Sequence, residues 1–193
     1  MHPVVVFNIK NKKQNTSIAT TNQKKQKMSN AANARLTKEY SNLLREKESL
    51  HFSGNIPQLE IELTDQDSEN ALLQWNVTFG GPPGSVFEHD PCFFLELAFS
   101  EMYPIQPPKV RFISHIKSNP PPKHEHVYSN GDICLSILDV DWSPSIGVKG
   151  ILLSIVSMLS SAEEKRAAPN DARYVRECKI VSNISWQYHD DKC

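Results

Sequence analysis

The sequence predicts an α+β domain whose helices are segregated from a four-stranded antiparallel meander. Two patterns carry that reading. Three runs of alternating apolar and polar residues follow one another between Leu59 and Phe99, and apolar residues at helical spacing lie before and after them. The links between the runs, Thr64 to Ala71 and Gly80 to Pro91, hold turn-forming residues and are too short for crossover helices, so neighbouring strands pair antiparallel.

From Ala31 to Leu50 the apolar residues Leu36, Tyr40, Leu43 and Leu44 recur at i, i+4, i+7 and i+8, which predicts an amphipathic helix. The strands follow as Leu59, Ile61, Leu63, then Leu73, Trp75, Val77, Phe79, then Phe93, Leu95, Leu97, Phe99, with a short fourth at Val110 to Ile113. Ser114 to Ile133 has no sustained periodicity and contains Pro120, Pro121 and Pro122. It reads as a long structureless loop, and such loops inside compact domains are usually functional. Val148, Ile151, Leu152, Ile155 and Leu159 predict a helix over Ile146 to Ser160, with Ser145 as its cap. Asn170 and Asp171 open a last helix that runs to about Ser182.

Of the 193 residues, 39% are hydrophobic, enough for one sizeable core, and 13 prolines against 7 glycines point to stiff loops. Residues 8–30 are Asn, Lys, Gln, Thr and Ser with little to bury, so residues 1–29 are expected to form a disordered basic extension. The folded domain is expected over 30–193, with 183–193 as its tail. Eight of the 21 Lys and Arg residues, and none of the 22 Asp and Glu residues, fall in the first 38 positions. The body is therefore strongly acidic, which argues against nucleic-acid binding by the core. The longest apolar stretch, Ile151 to Leu159, is broken by two serines and falls far short of the roughly 20 residues of a membrane span. The apolar run Val4 to Phe7 is too short for a secretory signal, and a mitochondrial presequence would favour arginine, whereas the first is Arg35. Cys92, Cys134, Cys178 and Cys193 lie far apart, unlike a zinc finger, a dithiol redox site or a disulfide scaffold, which points to cytosol or nucleus with reduced thiols.

The segment from His124 to Leu138 sets two histidines and a cysteine beside the proline-rich loop. Three chemistries are compatible with those residue types. Zinc could use His124, His126 and Cys134 but finds no obvious fourth ligand. A Cys-His nucleophile would need an oxyanion hole that the sequence does not reveal. The third reading is a buried cysteine with surface histidines.

The surrounding motifs narrow these. His124 stands ten residues before Cys134, Asn130-Gly131 just before it, and Trp142-Ser143-Pro144 shortly after; upstream, Tyr103, Pro104, Ile105, Gln106, Pro107 and Pro108 make a YPxxPP motif. Together they resemble the active-site region of ubiquitin-conjugating enzymes, from about Ala31 to about Cys178. The family's usual His-Pro-Asn is replaced by His124-Glu125-His126. CLSIL, SMLSS, EKR, a late YVR and the ending WQYHDDKC are similar to the W class, whose members attach ubiquitin to the α-amino group at a substrate's N-terminus.

The resemblance implies the ubiquitin-conjugating fold with no metal and no cofactor. It implies that Cys134 receives ubiquitin as a thioester from a ubiquitin-activating enzyme. His126 would stabilise the oxyanion or order the flap, His124 would be structural, and Tyr128 and Asn130 would shape the turn. Arg35, Ile105, Ser143 and Pro144 match positions that dock RING or U-box ligases. The implied partners are ubiquitin, the activating enzyme, such ligases and substrates with flexible N-termini, with no nucleic acid and no membrane. In lysine-directed relatives an acid beyond the cysteine sits near the incoming amine. The ungapped equivalent here is Arg166, and a gap would bring Asp171 there. An ordinary lysine-directed enzyme and a non-catalytic ubiquitin-binding variant are the alternatives; Cys134 argues against the second.

Overall fold

A computed structural model of the chain describes residues 30–64, 70–113 and 120–181. Helix α1 spans Asn30–Phe52, and strands β1 (Glu60–Leu63), β2 (Gln74–Phe79), β3 (Phe93–Ala98) and β4 (Lys109–Phe112) follow. Helices α2 (Gly147–Ser160) and α3 (Asp171–Val181) close the described chain, and short 3-10 turns occupy Ala71–Leu73 and Ser136–Leu138. Among the described residues no helix is long and apolar enough to cross a membrane.

The strands pair antiparallel in chain order, β1-β2-β3-β4. Their register explains the alternation in the sequence. Ile61, Val77, Leu95 and Phe112 stand side by side across all four strands, and so do Leu63, Trp75, Leu97 and Val110. A one-residue slip would turn both rows outward, so burial of this face specifies the pairing. On the other face Glu96 and Arg111 lie directly opposite each other and form a 2.7 Å ion pair.

Ala32, Leu36, Leu43 and Leu50 of α1 join one core with the inner sheet face and with α2, which buries Val148, Ile151, Leu152, Ile155, Val156, Met158 and Leu159. Tyr40 meets the edge of the Trp75 ring at 5.2 Å. Leu44 does not belong to the buried stripe and is 41% exposed. Leu36, Leu43 and Leu50 repeat every seven residues and stay aligned, whereas a residue one place further along is rotated by about 100°.

Two further expectations need correcting. The Ser114–Ile133 loop is not structureless where it is described. Val127 bridges Ile133 and Arg111 bridges Asp132, so the segment folds back on itself and continues the sheet beyond β4. Ser145 does not cap α2: the helix starts without a side-chain cap from its own flank, and the Val148 N–H donates instead to Glu39 Oε2 of α1 at 2.6 Å. The extension 1–29 and the tail beyond Val181, with Cys193 and the WQYHDDKC ending, lie outside the described residues.

Candidate active site

Cys134 follows the Val127–Ile133 bridge and is half-buried, with its N–H donating to the His126 carbonyl at 2.9 Å. The chain between these residues is a tight flap. Tyr128 N–H donates to Asp132 O, and Gly131 N–H closes the turn onto Tyr128 O at 2.8 Å. Gly131 has φ +96°, and its carbonyl accepts from Phe112 N–H of β4. A Cβ at this position would lie 1.9 Å from the Phe112 oxygen, so only glycine permits the flap to lie this close to the sheet.

Side chains then fix the turn. Asn130 Oδ1 accepts from the Asp132 N–H, and its amide donates to Asp132 Oδ2 at 2.7 Å. The Tyr128 ring stacks on Tyr174 of α3 at 3.6 Å, and the Tyr174 hydroxyl donates to Asp132 Oδ2. Ser129 N–H donates to Asp171 Oδ1 at the start of α3. Tyr128 and Asn130 therefore hold the turn in shape, and α3 anchors it from outside. Asp132, Tyr174 and this use of Asp171 were not recognised from sequence. The Asn-Gly-Asp order was the local signal for the first, and the YVR motif marked the second without showing its partner. Burial raises the Asp132 carboxyl and the Tyr174 phenol above their ordinary values.

His124 is 5% exposed. Its Nδ1 accepts from the His126 N–H at 3.0 Å, and a second bond joins the ring to the Met158 backbone. The acceptor role of Nδ1 requires the proton on Nε2, so the hydrogen-bond network assigns the neutral tautomer. Burial pushes its pKa down and favours the same state. With both nitrogens occupied, His124 is not available to a metal, and among the described residues no group of three or more His, Cys, Asp or Glu could hold one.

His126 is half-buried and opens onto a groove of about 670 Å³, lined also by Glu125, Leu135, Glu163 and Arg166. One wall is the flap and the other is the connection between α2 and α3; Leu135 places the groove next to Cys134. Arg166 and Glu125 form an ion pair joining the two walls, with Glu164 at 3.6 Å from the same guanidinium. The Arg166 charge holds the Glu125 carboxyl below its usual range. Asp171 does not line this groove, being engaged at the turn.

The other predicted residues gather elsewhere. Ile105 is 71% exposed and follows Pro104, whose carbonyl accepts from Trp142 Nε1 at 2.9 Å, so the YPxxPP and WSP loops are joined. Pro144 is exposed, and Ser143 Oγ lies 2.9 Å from Ser145 Oγ. Arg35 pairs with Glu39 and donates to the Pro144 carbonyl at 2.7 Å, bracing the second loop from α1. Of the remaining cysteines, Cys92 contacts Gln58 Oε1 and Cys178 is half-buried.

Residues 35–182 match the ubiquitin-conjugating enzyme family profile. The chain is 42% identical over 140 residues to a probable ubiquitin-conjugating enzyme E2 W-A of Danio rerio, covering 72% of this chain and 89% of the relative. It is 40% identical over 166 residues to ubiquitin-conjugating enzyme E2 W of Caenorhabditis elegans, covering 85% and 99%. A crystal structure of a ubiquitin-conjugating enzyme from Plasmodium falciparum superposes with a TM-score of 0.57 at 34% identity, over 78% of this chain and 100% of that one. The family profile spans the helix, sheet, flap and groove just described, and relatives at these identities bear the W designation, so the chain belongs to the ubiquitin-conjugating enzyme family, in its W class.

Proposed function

We propose that Cys134 carries the ubiquitin C-terminus as a thioester, received from the activating enzyme, and passes it to the α-amino group at a substrate's N-terminus. The observation that carries the reading is the backbone hydrogen bond from Cys134 to His126, which with Leu135 lines a groove whose opposite wall carries Arg166. The Cys134 N–H is bonded to the His126 carbonyl, which ties the cysteine's backbone to the flap. His126 is placed on the flap to order it or to donate to the oxyanion.

Amine choice follows from proton chemistry. An amine attacks only when neutral, and reference values near 7.7–8.0 for an α-amine against 10.4 for lysine leave roughly a few hundredfold more neutral α-amine at pH 7. A lysine needs a base to close that gap. In the groove, Glu125 and Glu164 are engaged by Arg166, and the Glu125 carboxyl, held below its usual range by that charge, is a weak proton acceptor. Glu163 also lines the groove and favours the second reading, lysine-directed transfer.

The test is a two-stage assay. With activating enzyme, ATP and ubiquitin, the wild-type chain is expected to form a reductant-sensitive adduct that Cys134→Ala lacks and that Cys92→Ala and Cys178→Ala retain. The loaded enzyme is then offered a peptide with a free, flexible N-terminus, or an N-acetylated peptide containing lysines. Much faster discharge to the first is expected; equal rates would return the chain to the lysine-directed members of its family.

A further inference from the structure

Glu125 stands in the flap where the family's pattern carries proline, a residue with no carboxylate to offer. Its ion pair with Arg166 is therefore a consequence of that departure, and it links the flap to the α2–α3 connection across the groove beside Leu135. The two side chains are 44% and 61% exposed, so the pair adds little to fold stability and acts mainly on the charge the groove presents.

Resting on the reading of Cys134 as the thioester carrier, we propose that Arg166 masks Glu125, withholding from an incoming lysine a carboxylate next to His126 that would otherwise take its proton. In the transfer the amine nitrogen attacks the thioester carbonyl carbon. The new C–N bond forms, the C–S bond breaks with its electron pair leaving on the Cys134 sulfur, and the neutral amine gives up one proton as it becomes the amide; a lysine that arrives as the ammonium must first lose another to a base before it can attack. About a tenth of an α-amine is already neutral at pH 7, whereas lysine is almost wholly the cation. Glu125 bound to a guanidinium accepts that proton poorly; released, it regains ordinary carboxylate basicity within the same groove. The other charged or titratable groups lining the groove are Glu163, Glu164, His124 and His126. His124 is engaged through both nitrogens, which leaves His126 and the two acids as the competing explanations for any gain.

The experiment follows single-turnover discharge of preformed thioester on the full chain, to free lysine and to a lysine-free peptide with an open N-terminus. The readout is the ratio of the two rates within each variant, which a loss of folded enzyme does not move. Arg166→Gln is expected to raise the lysine-to-α-amine ratio about tenfold, a fraction of the 10²–10⁴ that a well-placed base contributes. Arg166→Lys, which keeps the cation, should stay at the wild-type ratio. Arg166→Gln combined with Glu125→Gln should return to the wild-type ratio. No gain in Arg166→Gln overturns the proposal, and so does a gain that survives in the double variant, which would assign the base to His126, Glu163 or Glu164. The wild-type preference between the two amines is read separately, so failure of the α-amine reading and failure of the masking are different results.

Discussion

His124 shows how the fold holds a titratable ring inside the flap. The neutral ring accepts from the His126 N–H and packs 6.3 Å from the Phe87 ring, and burial holds its pKa below the ordinary histidine value. In the unfolded chain the ring takes up a proton near pH 6.5, while the folded ring resists until a lower pH. The unfolded state thus binds more protons in that window, so this residue's contribution is fully present above about pH 6.5 and is lost as the pH falls below it. Thermal melts at about pH 7.5 and about pH 5.5 should show a drop in melting temperature for the wild type. His124→Gln should be less stable at the higher pH yet lose less on acidification, and an equal acid loss in both would place the sensitivity in another group. Gly131 makes the complementary point about legibility. Its turn was visible in the Asn-Gly pair, but the reason it must be glycine, the Phe112 carbonyl pressed against it, belongs to another strand.

Among the elements, α2 depends on a residue of α1. Glu39 Oε2 accepts from the Val148 N–H, while Oε1 accepts from the Tyr103 hydroxyl at 2.8 Å and from Arg35. One half-buried carboxylate therefore caps the central helix and ties it to α1 and to the loop preceding Ile105. Tyr103 is 2% exposed, and burial with the adjacent carboxylate raises its phenol well above its ordinary value. Glu39→Ala removes a helix cap and strands a buried hydroxyl, an expected loss of about 3 kcal/mol. For a domain of this size that lowers the melting temperature by roughly 6–12 °C. Glu39→Gln keeps an acceptor and should lose about 1 kcal/mol; equal losses for the two variants in calorimetry would deny the cap its part. The amphipathic pattern announced both helices, whereas Ser145, the nearest local candidate for the cap, makes a different contact.

At the scale of the whole molecule, two surfaces are held on one core. The flap and groove face Cys134, while Ile105 and Pro144 project from loops joined by Trp142 and braced by Arg35. The resemblance to the family implies that this second patch docks ligases, and an exposed isoleucine between proline-stiffened loops is a preorganised apolar contact suited to that role. Ile105→Ala should weaken ligase-stimulated transfer about tenfold, in line with about 1–2 kcal/mol for a buried aliphatic contact. Loading by the activating enzyme, followed in the same preparation, should change little; equal damage to both steps would indicate a folding defect instead of lost docking.

The amino-acid order by itself determined the α+β class, the four strands and their antiparallel pairing, the three helices and the segment around Cys134. These rest on periodicities of two and 3.6 residues and on short motifs, which are properties of neighbours in the chain. Only the tertiary structure decided that Glu39 caps a helix 109 residues away, that Tyr174 and Asp171 clamp a turn 42 residues earlier, and that Arg166 meets Glu125 across 41 residues. It also turned Leu44 outward and folded the Gly131–Asp132 segment onto β4. Such contacts leave no local pattern, because the partners are brought together by burial of the shared core and not by their spacing.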